Sequence, residues 1–119
     1  MLIVEDDVDV AEVLSAILTQ RGFECRVVHS ATDAGPILKR GEVDLLLTDV
    51  VLPGGTSGAT LAAIARGLGV PVVIMTGSHD AMRRCEAEGL SYIAKPFRAK
   101  ELLRHVETAL FGGVAAAAA

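Results

Sequence analysis

The chain predicts a doubly wound α/β domain, a five-stranded parallel sheet in the order 2-1-3-4-5 with five helices on its two faces. Two observations lead there. Short apolar runs of buried-strand type alternate five times with segments in which apolar residues recur every 3.6 positions. Polar residues then gather where those runs stop, the edge at which open α/β sheets bind their ligands. A length of 119 residues suits one domain of the usual ~100–200 and leaves no room for a second.

Leu2-Ile3-Val4 is a first, buried strand. Val10, Val13, Leu14, Ile17 and Leu18 fall on one helix face, and Gly22 follows where a left-handed cap ends a helix. Phe23 to Val28, interrupted by Glu24 and Arg26, suits an edge strand. The second helix is weak. Ser30, Thr32 or Asp33 can cap it, but Pro36 precedes Gly41, so the proline sits in the first turn or the helix is short and bent. Val43 to Thr48 is a nearly continuous buried strand, Pro53-Gly54-Gly55 a turn, and Gly58 to about Arg66 an Ala/Leu-rich helix ended by Gly67 and Gly69. Val70 to Met75 makes the fourth strand, Asp80 to Glu88 a short polar helix closed by Gly89, and Tyr92 to Ala94 the fifth strand. The last helix carries Leu102, Leu103, Val106, Ala109 and Leu110 on one face. Gly112-Gly113 end it, leaving residues 112–119 as a Gly/Ala-rich tail, a disordered end or artificial remnant without a role.

Eleven Lys+Arg against fifteen Asp+Glu give a net charge of −4, and no stretch clusters basic residues densely enough to track a phosphate backbone, so direct nucleic-acid binding is disfavoured. With 51% hydrophobic and 22% charged residues the chain can build a packed core. A membrane span needs ~20 consecutive apolar residues, and the best run, Val70 to Met75, is far shorter. No secretory signal precedes Leu2, which predicts a cytoplasmic protein. Cys25 and Cys85 suit reduced, half-buried positions, and His29, His79 and His105 lack ligand spacing and suit surface or cap positions.

The chemistry lies at the strand ends. They deliver Glu5-Asp6-Asp7, Asp49, Thr76 and Lys95-Pro96, the second strand alone contributing nothing polar. With strands 1 and 3 adjacent, Glu5, Asp6 and Asp49 crowd together. Like charges so placed raise a pKa or recruit a cation, and an all-oxygen set suits Mg²⁺. Lys95 adds a positive charge and Thr76 a hydroxyl donor. An aspartate in such a setting attacks phosphorus in line, and Asp49 is the best-placed nucleophile. Asp7 reads as an N-terminal helix charge, although Asp6 with Asp7 is an alternative acidic pair.

L-I-V-E-D-D, D-L-L-L-T-D-V-V-L-P-G-G, V-V-I-M-T-G and Y-I-A-K-P-F occur in this order, and together they resemble the response-regulator receiver domain of bacterial two-component signalling, a CheY-like, flavodoxin-like fold. The resemblance spans nearly the whole chain and implies a receiver at 1–111. It implies that Asp49 accepts a phosphoryl group from a histidine kinase or phosphotransfer protein in a Mg²⁺-dependent reaction. Asp6 would then be a direct metal ligand, Glu5 a ligand through water, and the Val51 main-chain carbonyl a further one. Lys95 would contact the phosphoryl group, Thr76 would be the switch hydroxyl and Tyr92 the switch aromatic, turning inward on phosphorylation. The fourth helix, fifth strand and fifth helix would form the face that controls a protein partner, in a monomer or a phosphorylation-dependent dimer. Such a domain is a switch with only self-phosphorylation and autodephosphorylation activity, and its Lys95-Pro96 peptide is cis.

Two departures stand out. The G-G-T-S-G stretch is one residue longer than the common loop, a form associated with receivers of hybrid sensor kinases and with some stand-alone regulators, and the interval from Thr76 to Lys95 is a few residues short. Val51 offers no polar group to guide water, so slow loss of the phosphoryl group is expected. The rival readings are a degenerate receiver acting only as a protein-interaction module, a fragment of a hybrid sensor kinase, and a Mg²⁺-dependent phosphatase on the same carboxylates.

Overall fold

The structure, a computed structural model, describes residues 1–52 and 57–118, with 113–118 as helix backbone only. Five strands, β1 (Leu2–Val4), β2 (Arg26–Val28), β3 (Leu46–Asp49), β4 (Val72–Thr76) and β5 (Ser91–Ala94), alternate with α1 (Val8–Gln20), α2 (Ala31–Lys39), α3 (Gly58–Gly67), α4 (His79–Glu88) and α5 (Ala99–Ala118). The strands form one parallel sheet in the expected order β2-β1-β3-β4-β5. Alternate side chains point to opposite faces. Leu2, Val4, Leu46, Val72 and Ile74 pack with α2, α3 and α4, whereas Ile3, Leu47, Val73, Met75 and Ile93 pack with α1 and α5.

β2, β3 and β4 begin later than their apolar runs, for reasons of hydrogen bonding and burial. Phe23 belongs to the turn that closes α1, where Gly22 N–H donates to Thr19 and Phe23 N–H to Leu18, with Gly22 at φ +90. Pairing therefore starts at Arg26, whose N–H donates to the Met1 carbonyl. Pro71 has no N–H but its carbonyl accepts from Leu46, so β4 begins at Val72. On β3, Val43 is half-buried and Asp44 exposed, which moves the start to Leu46 and brings Asp49 inside the strand. The expected Pro53-Gly54-Gly55 turn lies outside the described residues.

Two helix expectations are decided, the second by correction. Pro36 is not in the first turn but is the sixth residue of α2, which at nine residues is short, as the other alternative had it. The helix survives because Ala31, Ala34 and Leu38 are buried on one face and Ser30 caps it, its hydroxyl accepting from Asp33 N–H at 3.2 Å. Burial outweighs propensity, at the cost of one missing donor to the Thr32 carbonyl. Pro36→Ala is expected to raise stability by about 1–2 kcal/mol in urea denaturation, part of the proline penalty being offset by the greater freedom the unfolded chain regains.

Gly112-Gly113 likewise do not end α5, which is helical to Ala118. Glycine costs only about 1 kcal/mol against alanine in a helix, Gly112 does not turn to positive φ, and beyond Val114 the sequence is alanine, the best helix former. Gly89, at φ +70, does close α4 as expected.

Candidate functional site

The carboxyl ends of β1, β3, β4 and β5 converge because the strands are parallel and in register. Thr48 on β3 sits opposite Val4 on β1, so Glu5, just past β1, and Asp49, the last residue of β3, stand side by side. Lys95, the residue after β5, reaches across. Its Nζ lies 2.6 Å from Asp49 Oδ1 and 2.9 Å from Glu5 Oε2. Asp6 completes the cluster, with one carboxylate oxygen from each of Glu5, Asp6 and Asp49 within 4.8 Å of the others. The three acids named from sequence are therefore brought together, and the lysine with them.

Their environments differ. Glu5 is buried, 2% exposed, and accepts Asp7 N–H at 3.2 Å through its second oxygen. Asp6 faces solvent, while Asp49 is 7% exposed. Burial first, and the adjacent Glu5 carboxyl second, push Asp49 up to about 7 against the pull of Lys95. Burial also acts to raise Glu5, but hydrogen bonds from Asp49, Lys95 and Asp7 N–H outweigh it and hold Glu5 below its usual range. Burial acts to lower Lys95, yet the two carboxylates hold it above its usual value, so it stays an ammonium. These directions are those expected of two neighbouring carboxyls competing for one proton beside a fixed cation.

Asp7 stays out of the cluster. Its Oδ1 accepts Val10 N–H at 3.1 Å and caps α1. Thr76, 6% exposed, lies one residue beyond the β3–β4 pair Asp49–Met75. Its Oγ1 accepts Ser78 N–H at 3.0 Å, and Ser78 in turn caps α4. Tyr92 does not join the acids. The β4–β5 register pairs it with Ile74, on the sheet face shared with Thr76, and its hydroxyl donates to Glu86 Oε1 at 2.6 Å. The Val51 side chain is 81% exposed. Lys95-Pro96 is cis, as expected.

Two contributors escaped the reading from sequence. His29, directly after Val28, is exposed as expected of a surface residue, but its Nδ1 lies 2.9 Å from the Glu5 main-chain oxygen, a polar contact at the end of β2 where none was expected. A polar residue following an apolar pair was the available signal. Gly58 opens α3 against the phosphoacceptor candidate's backbone, its N–H donating to the Val50 carbonyl at 2.8 Å. A Cβ there would stand 1.8 Å from the Asp49 carbonyl oxygen. The sequence showed only a glycine after the cap residue Ser57.

Residues 1–107 match the family described as the response regulator receiver domain. The chain belongs to that family. This receiver is 33% identical over 113 residues to the DNA-binding response regulator MtrA of Mycolicibacterium paratuberculosis, covering 92% of the chain and 50% of MtrA. It is 32% identical to the DNA-binding transcriptional regulator NtrC of a Bradyrhizobium strain, covering 92% of the chain and 24% of that protein. The receiver thus spans about half the length, or less, of these relatives. Among solved structures, a putative response regulator from Chloroflexus aurantiacus superposes with a TM-score of 0.83 at 34% identity, covering 92% of this chain and 94% of that one. The receiver domain of the hybrid histidine kinase CckA gives 0.76 at 32% identity, covering 92% and 96%. The family is one of signalling switches in two-component systems rather than of conventional enzymes.

Proposed function

We propose that the receiver takes a phosphoryl group from a phosphohistidine donor onto Asp49 and responds by changing shape. The observation that carries this reading is the Lys95 ammonium held 2.6 Å from Asp49 and 2.9 Å from Glu5 beside the exposed Asp6 carboxylate. An Asp49 oxygen attacks phosphorus as the N–P bond of the donor breaks, and the electron pair of that bond returns to the imidazole nitrogen, which takes up a proton. Lys95 offsets charge on the transferred oxygens, and the Thr76 hydroxyl, whose oxygen accepts Ser78 N–H, donates its own proton to one of them. Asp6, Asp49 and the Val51 main-chain carbonyl, with Glu5 through water, would hold Mg²⁺; their all-oxygen chemistry and the spacing of the three carboxylates fit a hard cation. When bound, the ion neutralises carboxylate and phosphoryl charge.

The donor is a histidine kinase or phosphotransfer protein. An apolar strip of Val10, Val13, Ile17, Pro96 and Phe97 adjoins Lys95 and offers such a protein a seat beside Asp49. Within this reading the domain works in the cytoplasm, and output passes to a protein through α4, β5 and α5. MtrA and NtrC are named as DNA-binding; residues 1–119, at −4 net charge, supply the switch rather than the DNA contact.

Intact mass after incubation with acetyl phosphate tests the reading. A single phosphoryl adduct is expected that requires Mg²⁺ and is absent in Asp49→Ala. Equal labelling of Asp49→Ala, or steady turnover of a phosphoester, would overturn it. The exposed, apolar Val51 further predicts a long-lived adduct, and Val51→Asn should shorten its lifetime several-fold when mass is followed over time.

A further inference from the structure

We propose that Glu86, on the last turn of α4, is a positioning residue that holds Tyr92 in its outward, resting state and so sets how readily the receiver switches. The inference rests on the phosphoacceptor reading above and assigns a regulator to that site. Tyr92 is the sole tyrosine of the chain. Its ring is half-buried against the core on the α2, α3 and α4 face, while its hydroxyl is exposed and donates to Glu86 Oε1 at 2.6 Å, a short, charge-assisted hydrogen bond.

Thr76 is tethered to the other end of the same helix. Its Oγ1 accepts Ser78 N–H at 3.0 Å, and Ser78 is the α4 N-cap. Tyr92 and Thr76 lie on one face, two register positions apart, since Ile74 pairs Tyr92 and Thr76 pairs Ala94. Movement of the Thr76 hydroxyl toward Asp49 and of the ring toward Thr76 therefore breaks both tethers at once. Thr76 gives up the Ser78 N–H, but its own hydroxyl proton gains an acceptor in the site. The Glu86 bond has no replacement on that path, so it biases the equilibrium outward. Glu86 and Tyr92 are six residues apart with Gly89 between them, and the tight left-handed cap at Gly89 is what folds the last turn of α4 back over β5. Glu88, two residues further on the same helix, has an exposed side chain and no bond to Tyr92.

The test is beryllofluoride binding in the presence of Mg²⁺, measured on the intact chain as wild type, Glu86→Ala, Glu86→Gln and Glu88→Gln, with and without Tyr92→Phe. Glu86→Ala is expected to tighten beryllofluoride binding about three- to tenfold, an exposed charged hydrogen bond being modest in effect. Glu86→Gln, which keeps an acceptor but not the charge, should fall between, and Glu88→Gln should match wild type. In the Tyr92→Phe background the Glu86→Ala effect should vanish, because the coupling runs through the hydroxyl. Alkaline titration of phenolate absorbance reports the contact itself, since no other tyrosine or tryptophan is present. The Glu86 carboxylate holds Tyr92 above the usual phenol value, and Glu86→Ala should bring it down.

Unchanged beryllofluoride affinity in Glu86→Ala, or an effect that survives Tyr92→Phe, would overturn the proposal. So would a phenol titration indifferent to Glu86. Failure of the wild type to take either beryllofluoride or a phosphoryl group would instead sink the phosphoacceptor reading and the latch with it, leaving the titration to record a purely structural contact.

Discussion

Lys95→Ala is expected to slow labelling by acetyl phosphate at least ~100-fold, the usual cost of deleting one preorganised charge-stabilising donor. The same change should destabilise the metal-free fold by about 1–3 kcal/mol near pH 8, because two carboxylates lose the cation between them while Glu5 stays buried. The pH dependence has a definite sign. Asp49, raised to about 7, binds its proton more tightly folded than unfolded, so its contribution favours folding in acid and is lost as pH rises from the ordinary carboxylate range through about 7. Glu5, held low, contributes the opposite way and loses its contribution only as pH falls below its usual range. Between about pH 5 and 8 the Asp49 slope therefore dominates the metal-free protein.

Removing Lys95 steepens that slope, since one shared proton must then do all the neutralising. Melting temperatures in chelator across this range check the point: Lys95→Ala should approach wild type at pH 5 and fall away toward pH 8. Lys95→Arg should recover most of the stability but little of the labelling, because the planar guanidinium keeps the charge and not the reach of an ammonium. A flat difference between wild type and Lys95→Ala over the range would refute the charge-sharing account of the cluster.

The sequence was most informative where burial is two-sided. β1 reads directly from Leu2-Ile3-Val4, the existence of β4 from the run Val70 to Met75, and the buried face of α1 from Leu14 and Leu18, although Val13, expected on that face, is exposed. Strand limits were less legible because they depend on partners elsewhere in the chain: β4 begins at Val72 only because Pro71 cannot donate. Pro36 shows the same limit for helices, as its local penalty is visible in sequence and the burial of Ala31, Ala34 and Leu38 that overrides it is not. At the site, residue types and strand ends sufficed to gather Glu5, Asp6, Asp49 and Lys95. Which of two adjacent acids turns inward was beyond them, since a loop has no period. Glu5 turned inward to Lys95 and Asp6 outward.

Gly58 is the clearest case of a requirement that propensity hides, and Gly58→Ala is expected to destabilise the fold by about 2–4 kcal/mol. At a helical position Gly→Ala ordinarily stabilises by about 0.5–1 kcal/mol. Gly67, also in α3, with nothing within 4 Å of the position of an added Cβ, should show that ordinary gain. At Gly58 the added Cβ meets three atoms of the Asp49–Val50 peptide: 1.8 Å from the Asp49 carbonyl oxygen, 2.7 Å from its carbon and 3.0 Å from Val50 Cα. Backbone cannot swing aside as a flexible side chain does. Either α3 retreats, stretching the 2.8 Å bond from Gly58 N–H to the Val50 carbonyl, or β3 shifts and takes Asp49 with it. The second route moves the Asp49 carboxylate away from Lys95, so whatever fraction of Gly58→Ala folds should label at least tenfold more slowly, a misplacement of about 1 Å being enough. Urea denaturation of Gly58→Ala and Gly67→Ala side by side should thus give shifts of opposite sign from the same chemical change within one helix. A stabilised Gly58→Ala would mean that α3 does not press on the Asp49 backbone, and the rigid placement of the candidate phosphoacceptor would then need another source.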